Sequence, residues 1–345
     1  MSAAADTPVA SPGPRAARSS WHAWSRRHPV WSMVVVRIGL GILTIFAVSV
    51  VIFLATQALP GNAAYAVLGH SATPQRLKAL EDQLHLNRSL VAQYGSWIGG
   101  VLHGDFGTSL ANGEKVSHLI GPRLVNSAVL VIGAGIVGTL IAGVLGLIAA
   151  ARRDKLFDHI ASVIALTVTA LPEFVVAIAL VIVFAVNALH ILPAVSVIPP
   201  GTSPLSNLKL LVLPIATLSL VIAPYIFRMV RGAMIEALES DYVEMAELKG
   251  ISRKRVLLVH ALPNSLPPVI QVIGLNLLYL AGGIVVVEYV FNYPGLGNML
   301  LSAVNNVDYP LMQGLFLIIT ICVLIAILLS DIATAILDPR TRTGG

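Results

Sequence analysis

Charged side chains are scarce in this sequence: they make up 11% of its 345 residues, whereas a soluble globular domain has roughly 25%. Hydrophobic residues make up 56%, and the mean hydropathy is +0.84. So few charges cannot cover a soluble surface without leaving large apolar patches. The composition therefore excludes an ordinary soluble enzyme and a disordered protein, and it indicates a protein that crosses a membrane several times.

Cysteine and the common catalytic motifs are also missing. The single cysteine, Cys322, lies in an apolar run, which excludes an intrachain disulfide and a cysteine metal cluster. The chain has no G-x-x-x-x-G-K-[ST] phosphate loop, no H-E-x-x-H zinc motif and no G-x-S-x-G nucleophile motif. Its nine histidines show no ligand spacing. We therefore expect no catalytic residues, no metal site and no cofactor in this chain, and any ATP must be hydrolysed by a partner.

Long apolar runs are present instead, and they are continuous rather than alternating. This pattern predicts membrane-spanning helices and excludes a transmembrane barrel. Six runs are long enough to cross the hydrocarbon core, so both termini are expected on one side. The predicted spans are 38–57, 124–151, 160–189, 210–227, 266–287 and 311–337.

Lysine and arginine are unevenly distributed between the two faces. Of 22 such residues, 16 lie before span one, after span two, after span four or at the C-terminus. Since cytoplasmic connections are enriched in these residues, we predict that the N- and C-termini are both inside. The pI near 9.5 then reflects topology, and without a nucleic-acid-binding motif no nucleic-acid partner is expected.

The segments outside the spans complete the predicted organisation. A first segment rich in Ala, Ser, Pro and Arg is predicted to be disordered. A polar external insertion with a helical pattern follows span one, and a long internal loop follows span four. The predicted units are a cytoplasmic tail (1–32), the first transmembrane helix (33–59), the external helical insertion (60–123), a five-helix transmembrane core (124–339) containing an elbow (235–263), and a tail (340–345).

The elbow carries the most specific pattern. Good helix formers with charged residues predict a helix over 235–248, and Gly250 is expected to end it in a left-handed cap. Ser252 could cap a second helix that Pro263 would end near Leu262. A helix–glycine–helix elbow suits docking into a groove of another protein. On composition alone, a solvated amphipathic loop is an equally good interpretation.

The residues of the elbow resemble the EAA signature of the permease subunits of bacterial ABC importers. Two positions depart from it, since Met245 replaces the usual alanine and His260 the usual aliphatic residue. In that family the elbow is a coupling helix seated in a cleft of the cytoplasmic ATPase. The matching residues, which the resemblance assigns to ATPase coupling, are Glu244, Ala246, Gly250, Leu262 and Pro263.

Further motifs extend this resemblance over nearly the whole chain. Gly-Asp-Phe-Gly-Thr-Ser at 104–109, Val-Glu-Tyr-Val-Phe at 287–291 and Pro-Gly-Leu-Gly at 294–297 are similar to the B-type permeases of the dipeptide, oligopeptide and nickel importers. The resemblance implies an all-α polytopic membrane protein with the type I ABC importer permease fold in the bacterial inner membrane. It also implies a second homologous permease, two cytoplasmic ATPase subunits or one fused ATPase that bind ATP and Mg²⁺, and an external substrate-binding protein.

Several residues are candidates for the translocation path or its gate. Pro172 removes a helix hydrogen bond and is expected to bend the third span. Glu173 follows it, at a position where an acid is costly unless it faces a cavity or a partner. It could line the path and meet a substrate amine, or it could simply lie at a water-filled kink or helix interface. The resemblance places an external gate region at Glu288, Pro294, Gly295 and Gly297. Asp331 is expected to pair with a cytoplasmic-side arginine.

A stripe of small residues runs along span two. Such stripes let helix backbones approach closely in a membrane, where apolar surface alone gives little preference for a protein partner over lipid. The stripe could pack inside this subunit or against a second permease. Its residues are Ala134, Gly138, Ala142 and Gly146.

The leading hypothesis is thus a permease subunit of an ATP-driven importer of short peptides, with nickel or a haem-type compound as alternative substrates. A self-sufficient secondary transporter should show inverted repeats and paired intramembrane charges. An intramembrane enzyme should show a nucleophile–base or metal constellation. The sequence shows neither set of features, and both rivals leave the elbow unexplained.

Overall fold

The structure is a computed structural model of the chain. It describes residues 29–58, 73–75, 78, 88–187 and 190–337. Most of the tail predicted at 1–32, all of the tail predicted at 340–345 and most of the stretch 60–87 lie outside the described residues.

The described residues are almost entirely helical, and within them the only β-type pairing is an isolated bridge between Thr108 and Lys115. A π-helical stretch, Ile182–Asn187, extends the helix Glu173–Val181, and another, Val256–Ala261, joins the helices Arg253–Arg255 and Leu262–Val290. The helices are α1 (Pro29–Ala58), α2 (Leu90–Leu102), α3 (Val116–Ala151), α4 (Leu156–Thr169), α5 (Glu173–Val181), α6 (Leu208–Leu238), α7 (Asp241–Leu248), α8 (Arg253–Arg255), α9 (Leu262–Val290), α10 (Leu296–Asn305) and α11 (Tyr309–Leu337).

Five of these helical stretches are long and apolar enough to cross a membrane: α1, α3, α6, the continuous run from α8 into α9, and α11. The sixth predicted span is the pair formed by α4 and α5, whose axes meet at 107°. Pro172 lies at the bend and has extended backbone angles. Because proline lacks an N–H and disfavours helix in the residue before it, the helix is interrupted there. The prediction of an all-α protein with six membrane segments is confirmed, with one segment sharply bent.

Helix α6 lies at the centre of the bundle and is the most buried of the candidate spans. It packs against α3, α4, α5 and α9, and these five helices share the main hydrophobic core. Helices α1 and α11 pair with each other, and α11 also packs on α9. A second core joins the start of α3, α10 and the start of α11.

The two ends of α9 define the two ends of the bundle. We call the end that carries α7 and the start of α9 the elbow end, and the end that carries residues 291–295 the turn end. Between them, α1, α3 and α4 expose many large apolar side chains, including Leu43, Leu140 and Ile164. Exposed apolar surface of this extent is typical of contact with lipid or with other membrane helices.

Candidate coupling elbow and membrane-embedded sites

The first half of the elbow is two helices instead of the one helix predicted over 235–248. Helix α6 continues to Leu238, and α7 begins after Ser240, which is extended at the N-cap of α7. The Ser240 hydroxyl donates to the Ala237 carbonyl oxygen at 2.5 Å and does not cap α7. The Ser240 hydroxyl therefore satisfies a carbonyl group at the end of α6, and the chain changes direction there.

The glycine cap predicted at the end of α7 is confirmed. Gly250 has φ +74°, a conformation that costs any residue with a Cβ about 1–2 kcal/mol. The Ile251 N–H donates to the Ala246 carbonyl at 3.2 Å, and the Gly250 N–H donates to the Glu247 carbonyl at 2.8 Å. These two bonds form a Schellman motif, which fixes the direction in which the chain leaves α7.

The two faces of α7 have different surroundings. Val243 and Ala246 are buried in the main core. Tyr242, Met245 and Leu248 recur every three residues on the exposed face, where Met245 is 53% and Leu248 76% exposed. Glu244, Glu247 and Lys249 are also exposed. Helix α7 thus presents an apolar stripe with charged neighbours, whereas Ala246 attaches it to the rest of the chain.

The second half of the elbow differs from the prediction that Pro263 ends a short helix. The chain is helical without interruption from Arg253 through Pro263 to Val290. The π-helical turn explains this, because the Leu262 N–H donates five residues back to Leu257. Pro263 is then in the first turn of α9, where its missing N–H is tolerated. Ser252 is at the N-cap, but its hydroxyl makes no cap bond.

At the turn end, Glu288 binds the N-terminus of α10. Its side chain is fully buried, and it accepts hydrogen bonds from the Ser127 hydroxyl at 2.5 Å, the Gly297 N–H at 2.7 Å and the Asn298 N–H at 3.1 Å. The Ser127 oxygen also accepts from the Leu296 N–H at 2.8 Å. The Glu288 carboxylate, which belongs to α9, thus caps the N-terminus of α10.

The glycines of the 294–297 turn leave the space that this carboxylate occupies. A Cβ on Gly295 would overlap Glu288 Oε1, and a Cβ on Gly297 would lie 2.5 Å from the Val285 Cα. The Asn126 amide donates to the Pro294 carbonyl at 2.8 Å, and the Tyr293 hydroxyl donates to the Asn126 carbonyl at 2.9 Å. Burial, with the nearby Glu288 carboxylate, raises the pKa of Tyr293, so its phenol remains a neutral donor. The predicted gate residues pack closely together between α3, α9 and α10. We call this cluster of Glu288, Pro294, Gly295 and Gly297 the Glu288 lock.

Glu173 has a more open environment. It is half-buried at the first position of α5, and the Tyr279 hydroxyl donates to its Oε2 at 3.3 Å. A Cβ on Gly283 would lie 3.3 Å from Oε1, so this glycine gives the carboxylate room against α9. The acid therefore lies at the junction of α5 and α9 and shares no hydrogen-bond partner with Glu288 among the described residues.

Comparison with protein families relates this architecture to a known transporter component. Residues 142–343 match the family described as the binding-protein-dependent transport system inner membrane component, and residues 30–130 match the N-terminal family of the same membrane component. The chain belongs to this family. It is therefore an ABC importer permease subunit with the type I fold, a multi-pass protein of the inner membrane.

Three similar proteins illustrate the relationship. A protein of Brucella suis named as a peptide permease is 37% identical over 311 residues, which cover 88% of this chain and 96% of that protein. A protein of Sinorhizobium fredii named as a peptide ABC transporter permease is 33% identical, with 86% and 94% covered. The glutathione transport system permease of Salmonella choleraesuis is 33% identical, with 88% and 96% covered.

The small-residue stripe of the permease lies on the face of α3 that packs against α6. A Cβ on Gly138 would lie 2.9 Å from the Ile222 side chain, and a Cβ on Gly146 would lie 3.0 Å from the Phe227 carbonyl oxygen. Ala134 and Ala142 are buried in the same interface. Of the two alternatives, the stripe therefore packs inside the subunit.

Ion pairs fasten the elbow end of the permease. Arg231 on α6 donates twice to Asp158, at 2.5 and 2.7 Å, and this aspartate is 1% exposed. Arg153 pairs with Glu239 just before α7, and that hydrogen bond raises the pKa of the Arg153 guanidinium. Asp331 pairs with Arg37 at 3.0 Å, as predicted. The connection between α3 and α4 is thus tied to the end of α6 from which α7 departs.

Sequence reasoning missed several of these residues. Asp158 could have been noted as one of two acids, with Asp154, in or next to the basic stretch after span two. Ser127 gave no signal, because a serine in an apolar helix has many roles. Asp308 caps α11 and also holds the 104–109 motif, since it accepts from the Ser109 hydroxyl and from the Leu110 N–H. Its partner is 199 residues away, which no local pattern reveals.

Proposed function

We propose that this permease subunit imports short peptides, di- or oligopeptides, driven by ATP that a partner hydrolyses. An external binding protein would deliver the peptide to the face formed by 60–123. Two cytoplasmic ATPase subunits, or one fused ATPase, would bind ATP and Mg²⁺ and dock on the elbow. A second, homologous but distinct permease would complete the pathway as a heterodimer. The permease itself would catalyse no reaction.

The observation that carries this proposal is the exposed stripe on α7. Tyr242, Met245 and Leu248 form a helical apolar surface outside the candidate spans, and the described part of the chain leaves it exposed. A short amphipathic helix with such a stripe suits a groove in another protein. The Gly250 cap and the Arg153–Glu239 pair would hold α7 rigidly enough to transmit a displacement into α6 and α9.

The orientation follows from the same surface. Docking of a cytoplasmic ATPase requires the elbow end to face the cytoplasm, which agrees with the basic residues near it and with both termini inside. The names of the similar proteins support peptides as substrates. Among the described residues, no three His, Cys, Asp or Glu side chains come together as a metal site.

Met245→Glu tests the docking role of α7. Because Met245 is exposed, the variant should insert and fold normally, but a charge in the docked stripe should lower ATP-dependent peptide uptake by about tenfold or more. Uptake and copurified ATPase are measured on the complex in proteoliposomes. Met245→Leu, which keeps the apolar surface, is the matched control.

Wild-type uptake and ATPase recovery by Met245→Glu would exclude the stripe as the docking surface. Ala246→Asp is a poorer test, because Ala246 is buried and the charge would disrupt the core of the permease itself.

A further inference from the structure

A groove lined by both polar and apolar side chains runs between α6 and α9, and none of its lining residues belongs to the Glu288 lock. Tyr225, Arg228 and Met229 lie on one face of α6, and Val272, Asn276 and Tyr279 lie on the facing side of α9. Together with Leu275, these six residues line a cavity of about 500 Å³. The two tyrosine rings contact each other with centroids 6.2 Å apart. We call this cavity the α6/α9 groove.

Glu173 does not itself line the groove, but its carboxylate lies next to the hydroxyl of the lining residue Tyr279. Its carboxylate accepts one hydrogen bond, from the Tyr279 hydroxyl, and lies against Gly283, where the missing side chain leaves room for it. No described basic side chain lies within ion-pair distance of it. An acid within a span is costly against lipid, so this carboxylate is better explained by a polar occupant of the groove.

Arg228 lines the groove and provides a positive charge. It is exposed, and it lies three residues after Tyr225, on the same face of α6. No described carboxylate pairs with its guanidinium, unlike that of Arg231 one turn later. The groove therefore has an acid and a base of opposite sign, neither neutralised by a described residue.

The length of the groove is comparable to that of a short peptide. Its lining residues Val272 and Tyr279 are seven residues apart on α9, which is roughly 10 Å along the helix axis. An extended peptide of two or three residues spans about 7–11 Å. A longer peptide would extend beyond the groove at one end.

We propose that the α6/α9 groove binds the zwitterionic ends of a peptide of two or three residues, with its ammonium group at Glu173 and its carboxylate at Arg228. An ammonium group also interacts favourably with the faces of Tyr225 and Tyr279. A guanidinium can hold a carboxylate through two parallel hydrogen bonds. This inference rests on the proposed peptide import and adds the class and length of the peptide.

Peptides blocked at one end test this assignment. The complex in proteoliposomes is supplied with a free tripeptide, its N-acetyl form or its C-terminal amide, and uptake is compared among wild type, Glu173→Gln and Arg228→Gln. Glu173→Gln should lower uptake of the free tripeptide roughly tenfold and leave uptake of the N-acetyl form at the wild-type level. Arg228→Gln should likewise lower uptake of the free tripeptide roughly tenfold and leave uptake of the C-terminal amide at the wild-type level.

Asp331→Asn is the matched control, because it neutralises a different intramembrane acid that pairs with Arg37. Its ratio of free to blocked peptide uptake should equal the wild-type ratio. If the ratio of free to blocked peptide uptake in Glu173→Gln and Arg228→Gln also equals the wild-type ratio, the groove assignment is wrong. This is the result expected if lipid fills the groove. If the wild-type complex imports no peptide with ATP, the proposed function itself fails, and this inference fails with it.

Discussion

Glu288 and Glu173 are two acids of the bundle with opposite surroundings. The Glu288 carboxylate is fully buried and accepts three hydrogen bonds, from Ser127, Gly297 and Asn298. The Glu173 carboxylate is half-exposed and accepts one hydrogen bond, from Tyr279. A saturated carboxylate stabilises the turn beside it, whereas an unsaturated one is available to a ligand. At the scale of the residue, the first is a structural lock and the second a candidate binding group.

Removal of the Glu288 carboxylate should destabilise the permease. Glu288→Ala leaves two buried N–H groups and the Ser127 hydroxyl without their acceptor, so we expect a loss of about 2–4 kcal/mol in the free energy of unfolding. Glu288→Gln retains one acceptor oxygen and should lose less. Thermal unfolding of the purified protein in detergent measures both, with the exposed Glu114→Gln as the control. An unchanged midpoint in Glu288→Ala would contradict the lock.

At the scale of the element, the packing of α3 on α6 depends on small residues. The glycines of the stripe differ from Gly143, which lies on the same helix but has open space where a Cβ would be. Gly146 instead has the Val230 side chain 2.9 Å and the Phe227 carbonyl oxygen 3.0 Å from that position. Alanine substitutions at Gly146 and at Gly143 therefore separate the effect of packing from the intrinsic preference of alanine for helix.

The matched pair Gly146→Ala and Gly143→Ala tests this interface. Gly146→Ala should destabilise the permease by about 1–3 kcal/mol, because the backbone oxygen of Phe227 cannot give way easily. Gly143→Ala should be neutral or stabilising by up to about 1 kcal/mol, because alanine favours the helix. Thermal unfolding compares them side by side. If both variants unfold at the same temperature as the wild type, α3 does not approach α6 this closely.

Sequence patterns predicted some elements better than others, for physical reasons. The bend at Pro172 and the cap at Gly250 follow from backbone restrictions of single residues, and both were predicted. The break at Ser240 was missed because most of residues 235–248 are good helix formers, and tertiary packing decides where the chain turns. The helix through Pro263 was missed because it requires a π-helical turn, which has no recognised sequence signal.

The candidate sites show the same division. Charges in apolar runs revealed Glu173, Glu288 and Asp331, since such charges are rare. An arginine was predicted as the partner of Asp331, but the individual partners could not be identified, because Ser127 and Arg37 are 161 and 294 residues away from the acids that they contact. The α6/α9 groove likewise forms only when Tyr225 on one helix meets Tyr279 on another.

At the scale of the whole molecule, the apolar surface divides the permease into a lipid-facing belt and two polar ends. Helix α1 is only 17% buried over its apolar window, so most of it remains available to lipid or to a second permease. The elbow end carries the exposed α7 stripe and its ion pairs, and the turn end carries the Glu288 lock. Helices α6 and α9 connect the two ends and enclose the groove.

The central claim is that ATP hydrolysis by a partner at the elbow end drives peptide import through this permease. Uptake of a labelled tripeptide into proteoliposomes that contain the complete complex tests it most directly. We predict accumulation only when ATP is present on the elbow face and the binding protein and peptide are on the opposite face. Accumulation by this chain alone, driven by an ion gradient and without ATP, would contradict the account.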